Sequence, residues 1–164
     1  MIRPTLIGND VYLRPVERAD IDRGWHDWVN DPFVTHGLQG YFPTSREGIE
    51  SYYEASKPPH AALFAICMKE DDTYIGNARL GEFDWINRVC IYGRLLGNRD
   101  YQGHGYGTEV LILLLRYGFH ILGFNRIWSA AVSANKVSLA SNDRVGMLRE
   151  GIQRQSIFKN GEFV

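Results

Sequence analysis

The chain has little of what marks an exported, membrane-bound or nucleic-acid-binding protein. Only two cysteines, Cys67 and Cys90, occur in 164 residues. Both lie in apolar, strand-like segments, where they make no metal-binding spacing and suggest no disulfide framework. There is no run of Lys or Arg, and 18 basic residues against 19 acidic ones leave a formal net charge of −1. That balance offers no electrostatic footprint for nucleic acid or an anionic membrane. Apolar runs such as VLILLL (110–115) fall far short of the roughly 20 residues that span a bilayer. The first residues, MIRPTLIGND, lack the apolar stretch of a signal peptide. No repeat, linker or low-complexity segment divides the chain. The expectation is one cytoplasmic domain over residues 1–164, with no nucleic-acid, membrane or metal partner.

What is present is core-forming. Hydrophobic residues make up 45% of the chain, enough for a globular domain. VYLRPV (11–16) alternates and predicts a first strand. Ile21, Trp25, Trp28 and Val29 recur at helical spacing, and Asn30-Asp31-Pro32 is read as the stop. Thr44-Ser45-Arg46-Glu47 has the pattern of a capping box with Thr44 at the N-cap. It opens a helix carrying Ile49, Tyr52 and Tyr53 that ends before Pro58-Pro59. ALFAICM (62–68), residues 74–83 and residues 88–96 predict three strands, the first two joined by a turn at Asp71-Asp72. A helix is expected from about 105 to 122, ended by Gly123. RIWSAAV (126–132) predicts a strand and 135–145 a short helix closed by Gly146. The tail (148–163) reads as a hairpin turning at Asn160-Gly161. This order predicts a mixed α/β (α+β) domain around one central sheet.

The most informative stretch is RDYQGHGYGTEV (99–110). Gly103, Gly105 and Gly107 stand between a strand and a long apolar helix. A glycine-rich turn at a helix start presents bare N–H groups at the positive end of the helix dipole and suits a phosphate. The alternative is a tight turn that needs glycine for sterics alone. No Gly-Lys-Ser/Thr follows, so it is not a Walker A loop. Thr108 stands where a dinucleotide fingerprint would need its third glycine.

Gln102-Gly103-His104-Gly105-Tyr106-Gly107 fits Q/R-x-x-G-x-G/A and resembles the acyl-CoA pyrophosphate loop of GNAT-type N-acetyltransferases. The longer stretch from Tyr101 to Glu109 is similar to the Y-W-G-K-G-Y-G-T-E of the RimJ/RimL-like subgroup, which includes the ribosomal-protein N-terminal acetyltransferases. Trp28-Val29-Asn30-Asp31-Pro32 resembles its W-x-N-D-P, Ile75-Gly76 its I-G, and Asn135-Lys136-Val137-Ser138 its N-x-x-S. Gly146-Met147 and Glu150-Gly151 stand at its G-F and E-G.

The resemblance implies the GNAT fold: a central, mostly antiparallel sheet with a splayed strand pair and flanking helices. It implies acetyl-CoA as co-substrate, its pantetheine arm along Leu95, Leu96 and Gly97. The pyrophosphate would be held by Gln102, Gly103, His104, Gly105, Tyr106, Gly107 and Thr108, with Asn135 and Ser138 beside the arm. It implies acetyl transfer to an amine, which must lose a proton to a base, to water or by desolvation. Many members carry a tyrosine acid on the short helix; here Asn142 takes that place. Ser138 matches the subgroup's serine acid, although a helical serine also bonds its own backbone. The subgroup's glutamate falls on Ser156-Ile157-Phe158 and is absent. Glu82 and Asp84, near the end of the strand before the splayed one, are the candidates for drawing in the amine. A solvated strand end is the plainer reading of both. His26 and His36 are remoter candidates. Trp28, Tyr41 and Trp85 are candidates for contacting the acceptor, against core packing. Three acceptor readings stay open: a small amine such as an amino sugar, polyamine or aminoglycoside; a protein N-terminus; or a GNAT-fold sensor binding acyl-CoA without turnover. The resemblance also implies a last strand continuing past Val164, compatible with a homodimer across such strands.

Overall fold

The computed structural model describes residues 4–38, 42–159 and 161–164. Six strands form one sheet in chain order: β1 (Leu6–Ile7), β2 (Val11–Pro15), β3 (Ala62–Met68), β4 (Tyr74–Asp84), β5 (Val89–Leu96) and β6 (Arg126–Trp128). All neighbours pair antiparallel except β5 and β6, which run parallel. A parallel pair needs a crossover, and the helix α4 (Tyr106–Arg116) supplies it.

Two cores lie on the two faces of the sheet. On one, Val110, Leu111, Leu113 and Leu114 of α4 pack against Leu13, Ile66, Leu80 and Tyr92. Their spacing places all four on one helical face, and each such burial contributes about 1.5–3 kcal/mol. On the other, Ile21 from a 3₁₀ turn (Arg18–Ile21), Trp25 from α1 (Trp25–Asn30) and Ile49 from α3 (Arg46–Ala55) cover Tyr12, Ala65 and Cys67. Cys67 and Cys90 are buried free thiols, and burial pushes the Cys90 thiol up to about 12.

The structure corrects several sequence expectations. Pro32 does not merely stop a helix. Asp31 accepts from the Phe33 N–H, and Pro32 takes the first position of a second short helix, α2 (Pro32–Thr35), where its missing N–H costs nothing. The N-cap of α3 is Ser45, which accepts from the Gly48 N–H, not Thr44. Thr44 is pinned outside the helix: its N–H donates to Asn30 Oδ1 and its carbonyl accepts from Asn30 Nδ2, both at 2.9 Å. The helix expected to reach 122 rewinds after Arg116 into a π turn, Tyr117–Ile121. There Gly118 presses against the sheet so closely that a Cβ would sit 2.4 Å from Ile127 Cδ1. Strand β6 stops at Trp128, four residues short of expectation. Among the described residues, the tail does not join the main sheet. Only β7 (Phe158–Lys159) and β8 (Glu162–Phe163) pair, as a separate hairpin. Leu148 and Ile152 stay 89% and 75% exposed, with no sheet face to bury them. Asn160, at the expected turn, lies outside the described residues. No helix among the described residues is long and apolar enough to cross a membrane.

Candidate active site

The site begins where two strands part. β5 pairs with β6 only through Val89↔Arg126, Cys90↔Ile127 and Ile91↔Trp128. On its other side β5 stays paired with β4 up to Leu96. Along residues 92–96 the β6-facing edge is therefore open, because β6 has ended and the chain turns toward α5 (Lys136–Arg144). Leu95 and Leu96 are the last residues of that open edge. Gly97 follows with the Trp28 indole packed on it: a Cβ at Gly97 would lie 1.9 Å from Trp28 Cδ2.

The glycine loop comes next. Gln102 Nε2 donates to the Leu96 carbonyl at 2.7 Å and ties the loop to the strand end. Gly103 and Gly105 have φ of +85° and +91°, and a Cβ on either would meet nothing within 4 Å. These glycines answer to backbone conformation, not crowding, and the space before them is free. Gly105 caps α4, so the loop N–H groups lie at the positive end of an 11-residue helix. Gly107 packs against Arg94, whose Nε would be 3.2 Å from an added Cβ. The Thr108 hydroxyl is 3.0 Å from that of buried Ser141, which joins α4 to α5. His104 is exposed and its ring stacks on Tyr106. Glu109 anchors the first turn, accepting from the Asn9 and Asp10 N–H groups.

A cavity of about 510 Å³ runs from the helical side of the sheet to this open edge. Trp25, Val29, Ile49 and Tyr52 roof it, and Asn77, Arg79 and Glu82 of β4 form a wall. Tyr92, Gly93, Arg94 and Leu95 line its far end. The register between β4 and β5 breaks between Gly81 and Asp84. Within that break Glu82 adopts φ +53°. A non-glycine residue held there costs about 1–2 kcal/mol, and such strain gathers where a side chain must be aimed.

Among the described residues, three buried side-chain nitrogens lack a hydrogen-bond partner: Asn77 Nδ2, Arg79 Nε and a terminal nitrogen of Arg94. All three belong to residues lining this cavity. Burial lowers the Arg94 guanidinium from its ordinary pKa, and the neighbouring Tyr92 phenol works against the shift. A half-buried guanidinium with one buried, unmatched N–H group beside the open glycine loop fits an anionic ligand such as a coenzyme A diphosphate. Sequence reasoning missed these residues. Their signal was present, since Asn77, Arg79 and Arg94 are polar residues within otherwise apolar strands.

Other candidates fall elsewhere. Asn142 on α5 accepts from the Tyr92 hydroxyl, so a phenol reaches that helix position from the strand. Asn135 caps α5, accepting from the Ser138 N–H at 3.1 Å, and its Nδ2 donates to the Gly37 carbonyl at 3.1 Å. Its amide thus holds the loop after α2 against α5. Asp84 accepts from the Ile86 and Asn87 N–H groups and from the Asn87 side chain, bonds that hold its carboxyl below the usual range. Trp85 stacks on Phe124 and donates to the Pro59 carbonyl. Asp84, Trp85, Trp28, His26 and His36 do not line the cavity. Tyr41 lies outside the described residues. The W-x-N-D-P segment works as a clamp: besides the Trp28 and Asn30 contacts, Asp31 pairs with Arg99 at 2.6 Å just before the loop. Hydrogen bonds from Arg99 hold the Asp31 carboxyl below its usual range. Among the described residues no three His, Cys, Asp or Glu side chains cluster to hold a metal ion.

Strands that part beside a glycine-rich helix start, with a cavity reaching the gap, leave room for an anionic group donor and an acceptor. Comparison with known proteins agrees. Residues 10–148 match the acetyltransferase (GNAT) domain family. N-acetyltransferase p20 of Bacillus licheniformis is 30% identical over 154 residues, spanning 92% of this chain and 85% of that protein. The prophage-derived N-acetyltransferase YokL of Bacillus subtilis is 24% identical over 157 residues, spanning 95% and 86%. A spermidine N-acetyltransferase from Vibrio cholerae, solved with CoA and spermine, superposes with a TM-score of 0.85 at 22% identity, over 94% of this chain and 90% of that one. The chain belongs to the GNAT acetyltransferase family. It is an acyltransferase with the GNAT fold.

Proposed function

We propose that the enzyme acetylates a primary amine of a small molecule, such as an amino sugar, polyamine or aminoglycoside, held in the cavity between α1, α3 and β4. The observation carrying this reading is the continuity of that cavity from Glu82 to the open edge of β5. A pocket of this size suits a small acceptor. The spermine bound by the Vibrio cholerae enzyme is an amine of the same class. Acetyl-CoA, when bound, supplies the activated acetyl thioester. The glycine-loop N–H groups and the α4 dipole would hold its diphosphate, with the Arg94 guanidinium adding a fixed positive charge. The unpaired edge of β5 at 92–96 offers backbone groups to its pantetheine arm. Glu82 would accept the amine proton. On the α5 side, the Tyr92 hydroxyl held by Asn142, or the Ser138 hydroxyl, would return a proton to the departing sulfur.

The test is thiol release from acetyl-CoA with a panel of amino sugars, polyamines, aminoglycosides and N-terminal peptides. Saturable release with a small amine supports the reading; release with peptides alone moves it to a protein N-terminus. Gly105→Ala keeps the N–H but strains the loop at φ +91° and puts a Cβ into the free space before it. Misplacing one charge-assisted hydrogen bond this way is expected to raise the KM for acetyl-CoA roughly tenfold or more. An unchanged KM would count against the loop as the diphosphate site. Tyr92→Phe and Ser138→Ala separate the two acids. Whichever supplies the proton is expected to lower kcat by about 10²-fold or more, while the other stays near the unmutated enzyme. Solvent isotope effects on kcat check that the lost step is a proton transfer.

A further inference from the structure

We propose that Arg79 and Asn77 form an oxyanion-recognition subsite at the acceptor end of the cavity, so that the preferred acceptor carries a carboxylate or phosphate on the same molecule as its amine. The proposal rests on the reading of this cavity as the acceptor site.

Arg79 is a half-buried cation in the middle of a central strand. Among the described residues it takes part in no ion pair. Its guanidinium lies flat over Gly81, where a Cβ would be 2.3 Å from Nε and 2.4 Å from Cζ. On its other side is Tyr52 of α3, with Cζ 5.4 Å from the ring centroid and a long contact of 3.4 Å to the hydroxyl. Glycine beneath and an aromatic ring beside the guanidinium fix its plane and leave Nε buried without an acceptor. A buried N–H without an acceptor is costly, and no residue described here supplies one to Arg79 Nε.

Asn77 repeats the pattern two residues earlier on the same strand face, about 6.6 Å away along the strand. It is 5% exposed. Its Oδ1 accepts from the Tyr74 hydroxyl at 2.8 Å, which orients the amide and leaves Nδ2 as an unmatched buried donor. Both side chains offer only donors to the cavity, a combination that recognises an oxyanion. Glu82 lies three residues past Arg79 on the same strand and supplies the opposite charge for the amine. Among the described residues, the charged ones lining the cavity are Arg79, Arg94 and Glu82. With Arg94 assigned to the diphosphate, Arg79 and Glu82 present one cation and one carboxylate to the acceptor, a pairing that suits an amine with an attached oxyanion better than a polycation.

The experiment uses matched acceptors: an amino sugar and its phosphate ester, an amino acid and its methyl ester, and spermidine as polycation. In the unmutated enzyme the oxyanion-bearing member of a pair is expected to have the higher kcat/KM by about 10- to 100-fold, the range of one charge-assisted contact. Arg79→Met is expected to bring that ratio toward one, mainly through KM. Arg79→Lys keeps the charge but loses the fork and should fall between. The phosphate and carboxylate pairs distinguish the two oxyanions. Preference for the neutral amine or spermidine, or an equal loss with every acceptor in Arg79→Met, overturns the subsite. If no acceptor releases thiol, the proposed activity fails. Calorimetric titration of the amino sugar phosphate into CoA-loaded enzyme then decides the subsite separately. Binding that Arg79→Met weakens at least about tenfold supports it, and binding that is absent or unaffected refutes it. Arg79→Met removes an unpaired half-buried charge, so its melting temperature should not fall; this guards against misreading an unfolded variant.

Discussion

Glu82→Gln is expected to lower kcat by about 10²- to 10⁴-fold, the range for loss of a positioned general base, with little change in the KM for acetyl-CoA. The amide keeps the size of the side chain and most of its contacts but cannot take a proton from an ammonium acceptor. Steady-state kinetics with a turned-over amine give the split between kcat and KM. A loss confined to the acceptor KM would make Glu82 an attractor of the cation, and a kcat within about threefold of the original would remove it as base. The strained backbone provides a second reading. Glu82→Gly places at φ +53° the residue that adopts it freely, so stability should hold or rise by up to about 1 kcal/mol. Activity should nonetheless collapse as in Glu82→Gln. Higher stability with lost activity would indicate that the strain at this register break serves catalysis.

The largest expected effect on stability is at Arg14. Its guanidinium grips Asp20 with two hydrogen bonds of 2.7 Å, with Arg14 5% and Asp20 0% exposed. Arg14→Met leaves the Asp20 carboxylate buried without its partner and is expected to cost about 3–5 kcal/mol. Chemical denaturation, read at the midpoint with m unchanged, measures it. Adding Asp20→Leu should recover most of the loss, because an apolar pair avoids the desolvation. It should remain about 1 kcal/mol short, since Asp20 also accepts the Glu17 N–H at 2.8 Å. The Asp20 hydrogen bonds raise the Arg14 pKa above its ordinary value. A raised pKa contributes stability that is complete below the ordinary arginine range and lost only in stronger base. Near neutral pH, therefore, the Arg14→Met penalty should not vary through Arg14 titration. Full stability in Arg14→Met would make the ion pair incidental.

Local chemistry made much of the fold legible. β3 matches its expected bounds because ALFAICM is an unbroken apolar run between turns. The turn at Asp71-Asp72 and the stops at Gly123 and Gly146 follow from glycine and aspartate preferences, with Gly123 and Gly146 at φ +71° and +80°. The misread boundaries share a cause: a partner distant in sequence. Thr44 lost the N-cap because Asn30 had engaged its backbone. The short β6 and the separate tail hairpin depend on which sheet edges remain to be paired, and local pattern does not encode that.

The same division runs through the site. The glycine loop was readable because its backbone turns through positive φ at Gly103 and Gly105, and glycine adopts that conformation freely. Glu82 was readable as an acid at a strand end, but not its φ or its place on the cavity wall. Asn142 was readable as a departure from the family's tyrosine; that Tyr92 reaches it from β5 was not. Arg79, Asn77 and Arg94 were visible as polar residues in apolar strands, with no hint that their unmatched donors would face one space. By itself the sequence determined the order of the main elements, though not the strand Leu6–Ile7 or the helix Pro32–Thr35, the glycine-rich turn and the family, because these rest on local motifs. Only the tertiary structure decided where β5 and β6 part and which charges meet across the cavity, since burial and desolvation are set by residues far apart in sequence.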